Sequence, residues 1–349
     1  MQTVLKIVIT ILLFGVLILI HELGHFLVAL WSKVKINEFA IGMGPAILKK
    51  EHKGILYSLR AFPIGGYVQM DGEDGEGEDE NSFNKKPKWK RFFILIAGVF
   101  NNIIFGFLLI CLIYGTAKDY RLYPTTIIAE FDKNAVSSES GLKEKDQIYS
   151  INGYRIYTYT DLSYACTKDG TKPMNMVVIR NGQKTNVENV SMPVEKSDYA
   201  GEYYQLDFTV YGTEKTVFST IGYSFKSTIS LSRSIYSFIG SLFTGSANLN
   251  NVSGPIGITQ VIGEEVATEK GIDFQSLFLM MAMISINLGI VNLLPFPALD
   301  GGRIVILLYE AIFKRKLSPK VEAAINAGGF ALLMILMVLI TVKDIVHLF

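Results

Sequence analysis

Four long apolar runs, at residues 4–30, 92–116, 277–294 and 327–342, limit what this chain can become. A helix needs ~20 apolar residues to cross the ~30 Å hydrocarbon layer of a bilayer. The first three runs reach or approach that length; the fourth is the shortest and contains Gly328 and Gly329. A mean hydropathy of +0.32 points to membrane segments. The expectation is a polytopic α-helical membrane protein with four transmembrane helices. A net charge of +1 argues against a nucleic-acid binder, which needs a basic face to release counterions. Cys111 lies in an apolar run and Cys166 in a polar one, so neither a disulfide framework nor a thiolate metal site is supported.

The first run is too long for a secretory signal, with no basic cluster before it and no small-residue cleavage site after it. It reads as a retained helix. Lys33 and Lys35 follow it, Lys85, Lys86, Lys88, Lys90 and Arg91 precede the second run, and Lys314, Arg315, Lys316 and Lys320 precede the fourth. The positive-inside rule puts these loops in the cytoplasm, and both termini and the segment from Lys118 to about Asp273 outside.

Residues 36–70 alternate apolar and polar and are broken by Gly42, Gly44, Pro45 and the Gly65-Gly66 pair. They read as short strands or hairpins held against the membrane. The acidic run at 71–80 reads as a solvated loop without chemistry. Outside, residues 125–193 read as a small β-rich module. It has a strand at 126–131, Asn-Gly turns at Asn152-Gly153 and Asn181-Gly182, and a helix from Leu162 capped by Asp161. Gly141-Leu142, Asp146, Ile148 and Ile151-Asn152-Gly153 together resemble the signature of bacterial PDZ domains, with Lys145 where Gly is usual. Such domains bind extended peptides at a sheet edge; a spacer that binds nothing is the competing reading. Residues 217–244 carry apolar residues near helical spacing and fit an amphipathic helix lying in the outer interface. A fifth span competes with that reading. The domains expected are 1–116 with the first two spans, 117–200 with the PDZ-like module, 201–272 as a linker with the interfacial helix, and 273–349 with the last two spans.

His21-Glu22-Leu23-Gly24-His25 carries the chemistry. Residues four apart share a helix face, their Cβ atoms ~6 Å apart, so two imidazoles can reach one Zn²⁺. Glu22 is rotated off that line and can act as the base on an attacking water. An ionised carboxylate within a spanning helix costs ~2.5–3.5 kcal/mol, so such a residue needs a functional reason. A catalytic zinc takes three protein ligands. Asp300 is the best third, because Pro295 and Pro297 break the helix at the end of the third run and Gly301-Gly302 allow a tight turn. A plain helix-capping role for Asp300 is the alternative. His52 and His347 read as solvated.

These features together resemble the site-2 protease family of intramembrane zinc metalloproteases, in the bacterial branch that regulates sigma factors. The resemblance runs through His21-Glu22-Leu23-Gly24-His25-Phe26, Gly42-Met43-Gly44-Pro45 and Phe62-Pro63-Ile64-Gly65-Gly66-Tyr67-Val68. It continues with Phe83, Lys86-Pro87, Trp89 and Arg91, then Ala97-Gly98 with Asn102, and Ser253-Gly254-Pro255-Ile256-Gly257-Ile258. It ends with Asn292, Pro295, Pro297 and Leu299-Asp300-Gly301. Val99 stands where that branch usually has Pro, and one PDZ-like module stands where some members have two. The resemblance implies His21, His25 and Asp300 as zinc ligands and Glu22 as catalytic base. It implies Asn292 at the substrate or oxyanion, and Gly65 and Gly66 pairing with an unwound substrate strand. The implied substrates are single-pass membrane proteins, either anti-sigma factors or remnant signal peptides, cut in a bacterial cytoplasmic membrane with the active site towards the cytoplasm. Two rivals are a catalytically inactive PDZ-bearing scaffold and a proton-relaying transporter; the second expects inverted repeats, and none is visible.

Overall fold

The structure is a computed structural model and describes residues 2–73, 75, 77, 79–116, 122–168, 170–197, 201–245, 252, 254–268, 271–315 and 317–346. Two compact units emerge: Met1–Leu109 with Ser253–Phe349, and Ile110–Val252.

The first unit opens with α1 (Gln2–Trp31), then β1 (Ile36–His52) and β2 (Ile55–Met70), then α2 (Lys88–Thr116), whose residues from Ile110 on belong to the second unit. Both strands bend midway, so the two of them supply four paired segments, with 36–41 and 56–59 running in parallel register and the other two pairings antiparallel. Residues 36–41 pair with 66–70 on one side and with 56–59 on the other, while 46–52 pair with 55–60. Gly42 and Gly44, both at φ +85°, and Gly65 at φ +87° make the bends, a backbone region that favours glycine. Segment 66–70 is left on an edge, pairing only with 36–41 among the described residues. The sheet also packs against α1 within the apolar stretch of that helix. A Cβ on Gly15 would meet the Pro63 carbonyl, and Gly15 lies about 9 Å along α1 from His21. Met43, Ile47, Leu48 and Phe62 are exposed and give the bent sheet an apolar outer surface.

One polar cluster ties the bent strands together. Glu38 accepts hydrogen bonds from Ser58 (2.5 Å), Arg60 (2.7 Å) and the Tyr67 hydroxyl (2.8 Å). Arg60 also donates to the Gly44 carbonyl at 2.7 Å. Burial opposes ionisation of Glu38, but the bonds from Ser58, Arg60 and Tyr67 prevail and hold its carboxyl below the usual range.

The second unit is built on β3 (Leu122–Phe131), α3 (Val136–Glu139), β4 (Gln147–Ile151), β5 (Tyr154–Arg155), α4 (Tyr159–Lys168), β6 (Met174–Arg180) and β7 (Gln183–Val190). The hairpin β8 (Val194–Ser197) and β9 (Gly201–Tyr204), then β10 (Phe208–Glu214) and α5 (Val217–Thr244), complete it. The main sheet runs β10-β3-β4-β6-β7, with β5 beside β4. Its core includes Ile128, Ile148, Leu162, Met176 and Val178. Both Asn-Gly turns form as expected, with φ positive at Asn152, Gly153, Asn181 and Gly182. Lys145 sits at φ +68°, which explains why glycine suits that place. Two expectations need correction. The helix starts at Tyr159 rather than Leu162: Thr158 is its cap, its hydroxyl accepting from the Asp161 amide at 3.3 Å while Asp161 accepts from the Thr158 amide at 3.2 Å. The module also extends past residue 200, because β10 pairs with β3. α5 turns Ser224, Ser227, Thr228 and Ser230 inward and leaves Phe218, Ile221, Phe225 and Ile229 exposed.

The first unit resumes with α6 (Pro255–Val261), whose Gly254 and Gly257 amides donate to Asp344 at 2.9 and 2.8 Å. There follow α7 (Phe274–Asn292), α8 (Asp300–Phe313) and α9 (Pro319–Val346). Four helices among the described residues are long and apolar enough to span a membrane: Val4–Trp31, Lys88–Thr116, Phe274–Asn292 and Lys320–Val346. The fourth is longer than its apolar run, and α5 is not among them. Arg91 and Glu310, both largely buried, pair at 2.8 Å and fasten α8 to the start of α2.

Candidate metal centre

α1 places His21 and His25 on one face, both buried. Their rings meet edge to face with centroids 4.8 Å apart, and their Nε2 atoms are 3.2 Å apart. The third group arrives by way of the helix break. α7 ends at Asn292, and the chain passes Pro295, Pro297 and Ala298 (φ +70°) before α8 begins at Asp300. Gly301 and Gly302 lie against the carbonyls of Leu293, Leu294 and Phe296, where a side chain would not fit. This tight wrap brings Asp300 Oδ2 to 3.0 Å from His21 Nε2 and 3.4 Å from His25 Nε2. The plain capping role does not hold: the N-cap is Leu299, and Asp300 Oδ2 is buried with no hydrogen-bond partner among the described residues.

The electrostatics of this triangle call for a cation. His25 Nδ1 lies 2.8 Å from the Ile94 carbonyl, which takes its N–H and leaves an unshared pair on Nε2. The carboxylate oxygen brings its own unshared pairs to the same point. A tetrahedral Zn²⁺ with bonds of ~2.0–2.1 Å to nitrogen or oxygen separates its ligands by about 3.3–3.4 Å. The observed separations of 3.0, 3.2 and 3.4 Å fit that size, and His21, His25 and Asp300 form a group able to hold a metal ion.

Glu22 stands beside the triangle, where it interacts electrostatically with all three groups and with the backbone amide of Val68. Glu22, His25 and Asp300 line one cavity of about 790 Å³, walled by the edge segment around Tyr67, Val68 and Met70. Arg303 and Glu73 form an ion pair at its rim. Gly66 packs close to the Glu22 side chain. Asn292 Nδ2 is 3.5 Å from His21 Nε2. The expected site residues from α1, the 65–66 bend and the α7–α8 break therefore converge. His52 is exposed at a hairpin tip away from the site, and His347 lies outside the described residues.

Two residues at the centre carried no role in the sequence. Gly98 of α2 faces both imidazoles so closely that a Cβ would overlap them. Asn102, fully buried on the same helix, places Nδ2 3.5 Å from His21 Nδ1. An amide inside an apolar run is costly, and that cost is a signal that marks the Asn101-Asn102 pair from sequence without choosing between them.

Comparison with known proteins gives the family. Peptidase family M50 matches residues 9–336. A Clostridium acetobutylicum protein designated a zinc metalloprotease is 37% identical over 343 residues, covering 98% of each chain. The regulator of sigma-W protease RasP of Bacillus subtilis is 30% identical over 428 residues, covering 97% of this chain and 98% of its own. The chain thus belongs to peptidase family M50, the site-2 proteases, and is a zinc metalloendopeptidase of the membrane.

Proposed function

We propose that His21, His25 and Asp300 hold the zinc and that Glu22 is the catalytic base. The convergence of three ligand atoms within 3.4 Å of one another, with a carboxylate beside them, carries this reading. Bound zinc supplies Lewis acidity: it lowers the pKa of water towards ~7 and polarises a carbonyl. Glu22 takes the proton from the attacking water and delivers it to the leaving nitrogen. Asn292 steadies the carbonyl oxygen as charge develops on it. A helical peptide bond is shielded by its own hydrogen bonds, so the substrate must unwind before attack. Edge segment 66–70, with Gly65 and Gly66 at its start, then offers backbone groups to the extended strand beside Glu22.

The substrates on this reading are single-pass membrane proteins, cut in or near their spans. Membrane-bound regulators of sigma factors fit, as the name of the B. subtilis relative indicates, and remnant signal peptides fit as well. The lysines and arginines next to the spans support a bacterial cytoplasmic membrane with the metal centre towards the cytoplasm. Residues 110–252 then lie outside as a PDZ-like module. Its α5 rests in the outer interface: Tyr223 stacks on Tyr123 and meets Tyr114 at the end of α2, a tyrosine group suited to the headgroup level. The exposed stripe of Phe218, Ile221, Phe225 and Ile229 supports the same placement.

The test uses purified protein and a membrane-spanning reporter in vesicles. Glu22→Gln is expected to keep its zinc and lose cleavage, whereas His21→Ala loses both. Cleavage by Glu22→Gln at the wild-type rate would refute the assignment.

A further inference from the structure

α1 and α2 also enclose a cleft on the face turned away from the metal. It measures about 480 Å³ and its walls are Leu27, Val28, Trp31, Phe92, Phe93 and Phe100. Gly24 and Ala97 form the floor, because α1 and α2 touch there with no room for a Cβ on Gly24. Asn101 also borders it, but its amide already donates to the Ile20 carbonyl. The lining therefore suits a hydrocarbon chain and gives little to a polar ligand.

The mouth of the cleft is different in character. Trp31 and Trp89 meet edge to face at 6.2 Å, and Lys90 Nζ lies 5.5 Å from the Trp89 ring centre. Lys86 lies one helical turn before Lys90 in the chain, and its Nζ donates to Asn81 Oδ1 at 2.7 Å. Burial first, then the charges of Lys90 and Lys33, outweigh Asp79 and push its ammonium below its usual range. Asp79 itself pairs with Lys35 at 3.3 Å. Among the described residues neither Lys33 nor Lys90 has an acidic partner within ion-pair distance. Cations that crowd one another beside an apolar slot are stabilised by an anion carrying an apolar tail.

We propose that this cleft binds one acyl chain of an anionic phospholipid, with its phosphate held by Lys33, Lys86 and Lys90 at the tryptophan-lined mouth. Charge favours lipid over a substrate helix here, since an anionic lipid always brings a phosphate to its headgroup level, whereas the flanks of spanning helices are enriched in Lys and Arg on the side where these lysines are read to lie. The site lies behind the helix pair that bears His21, His25 and Gly98, so an occupant braces the close contact of α1 with α2.

The chain's two tryptophans, Trp31 and Trp89, both stand at this mouth and report on it directly. Full-length protein in detergent is titrated with phosphatidylglycerol brominated on its acyl chains, and separately with the matching phosphatidylcholine. Quenching is expected at about tenfold lower concentration of phosphatidylglycerol, since its headgroup keeps a net negative charge that the choline cancels in the other lipid. The triple variant Lys33→Gln, Lys86→Gln, Lys90→Gln loses that preference. Ile96→Phe, which narrows the cleft, weakens quenching by both lipids while zinc content and elution stay unchanged. Equal quenching by the two lipids of the wild type, or a preference retained by the triple variant, overturns the proposal. So does displacement of bound brominated phosphatidylglycerol by one equivalent of a neutral transmembrane peptide, which would assign the cleft to protein.

Discussion

Gly98 decides how near the imidazoles can come to Asp300. A methyl group there would overlap the Nε2 of His25 and the ring of His21. Gly98→Ala is therefore expected to weaken zinc binding by about tenfold or more, at an overpacking cost of about 1–3 kcal/mol. Competition with a chromogenic chelator reads the first effect, and thermal unfolding in detergent reads the second. Glu38 makes a different prediction at the same scale. Its carboxyl is held low in the folded protein, so its stabilisation is complete above the unfolded value of ~4.3 and disappears as pH falls through the lower folded value. Glu38→Gln should thus lower stability by about 1–3 kcal/mol at pH 7, and the gap to wild type should narrow below about pH 4. A gap that widened on acidification would contradict the hydrogen-bond roles given to Ser58, Arg60 and Tyr67.

Among the elements, the break between α7 and α8 and the bent sheet carry the site. α8 is fastened to α2 by Arg91 and Glu310. Removing one member of such a pair strands a buried charge, so Arg91→Ala should destabilise by about 3 kcal/mol, while the double variant Arg91→Met, Glu310→Leu regains most of that. Unfolding curves of the two variants decide it. What was legible in the sequence follows from range. His21 and His25 are one helical turn apart, and Pro295, Pro297 and Gly301-Gly302 announce a break that can aim a carboxylate, so each member of the proposed ligand set could be picked out from its own neighbourhood. Four-stranded pairing within 36–70 could not, because the bends at Gly42 and Gly65 let one segment pair on both sides. The cap at Thr158 was missed because Asp161 is itself a good capping residue. β10 was assigned to a linker because its partner β3 lies some eighty residues earlier. The Arg91–Glu310 pair likewise joins residues that no local pattern connects.

Across the whole molecule, the chain folds as two units with separate cores, and each can be followed by its own reporter. Burial pushes the Cys166 thiol in the second unit up to about 12, with Asp207 adding to the effect. Cys166 should therefore resist a maleimide at pH 8 until that unit unfolds; modification of the native protein within minutes would contradict the packing around it. The first unit has the metal as its reporter. The most direct measurement is zinc stoichiometry by elemental analysis on purified wild type, Glu22→Gln and Asp300→Ala. One zinc per chain is expected in the first two, and far less than one in Asp300→Ala. A full equivalent of zinc in Asp300→Ala would contradict the convergence of α8 on the histidines of α1.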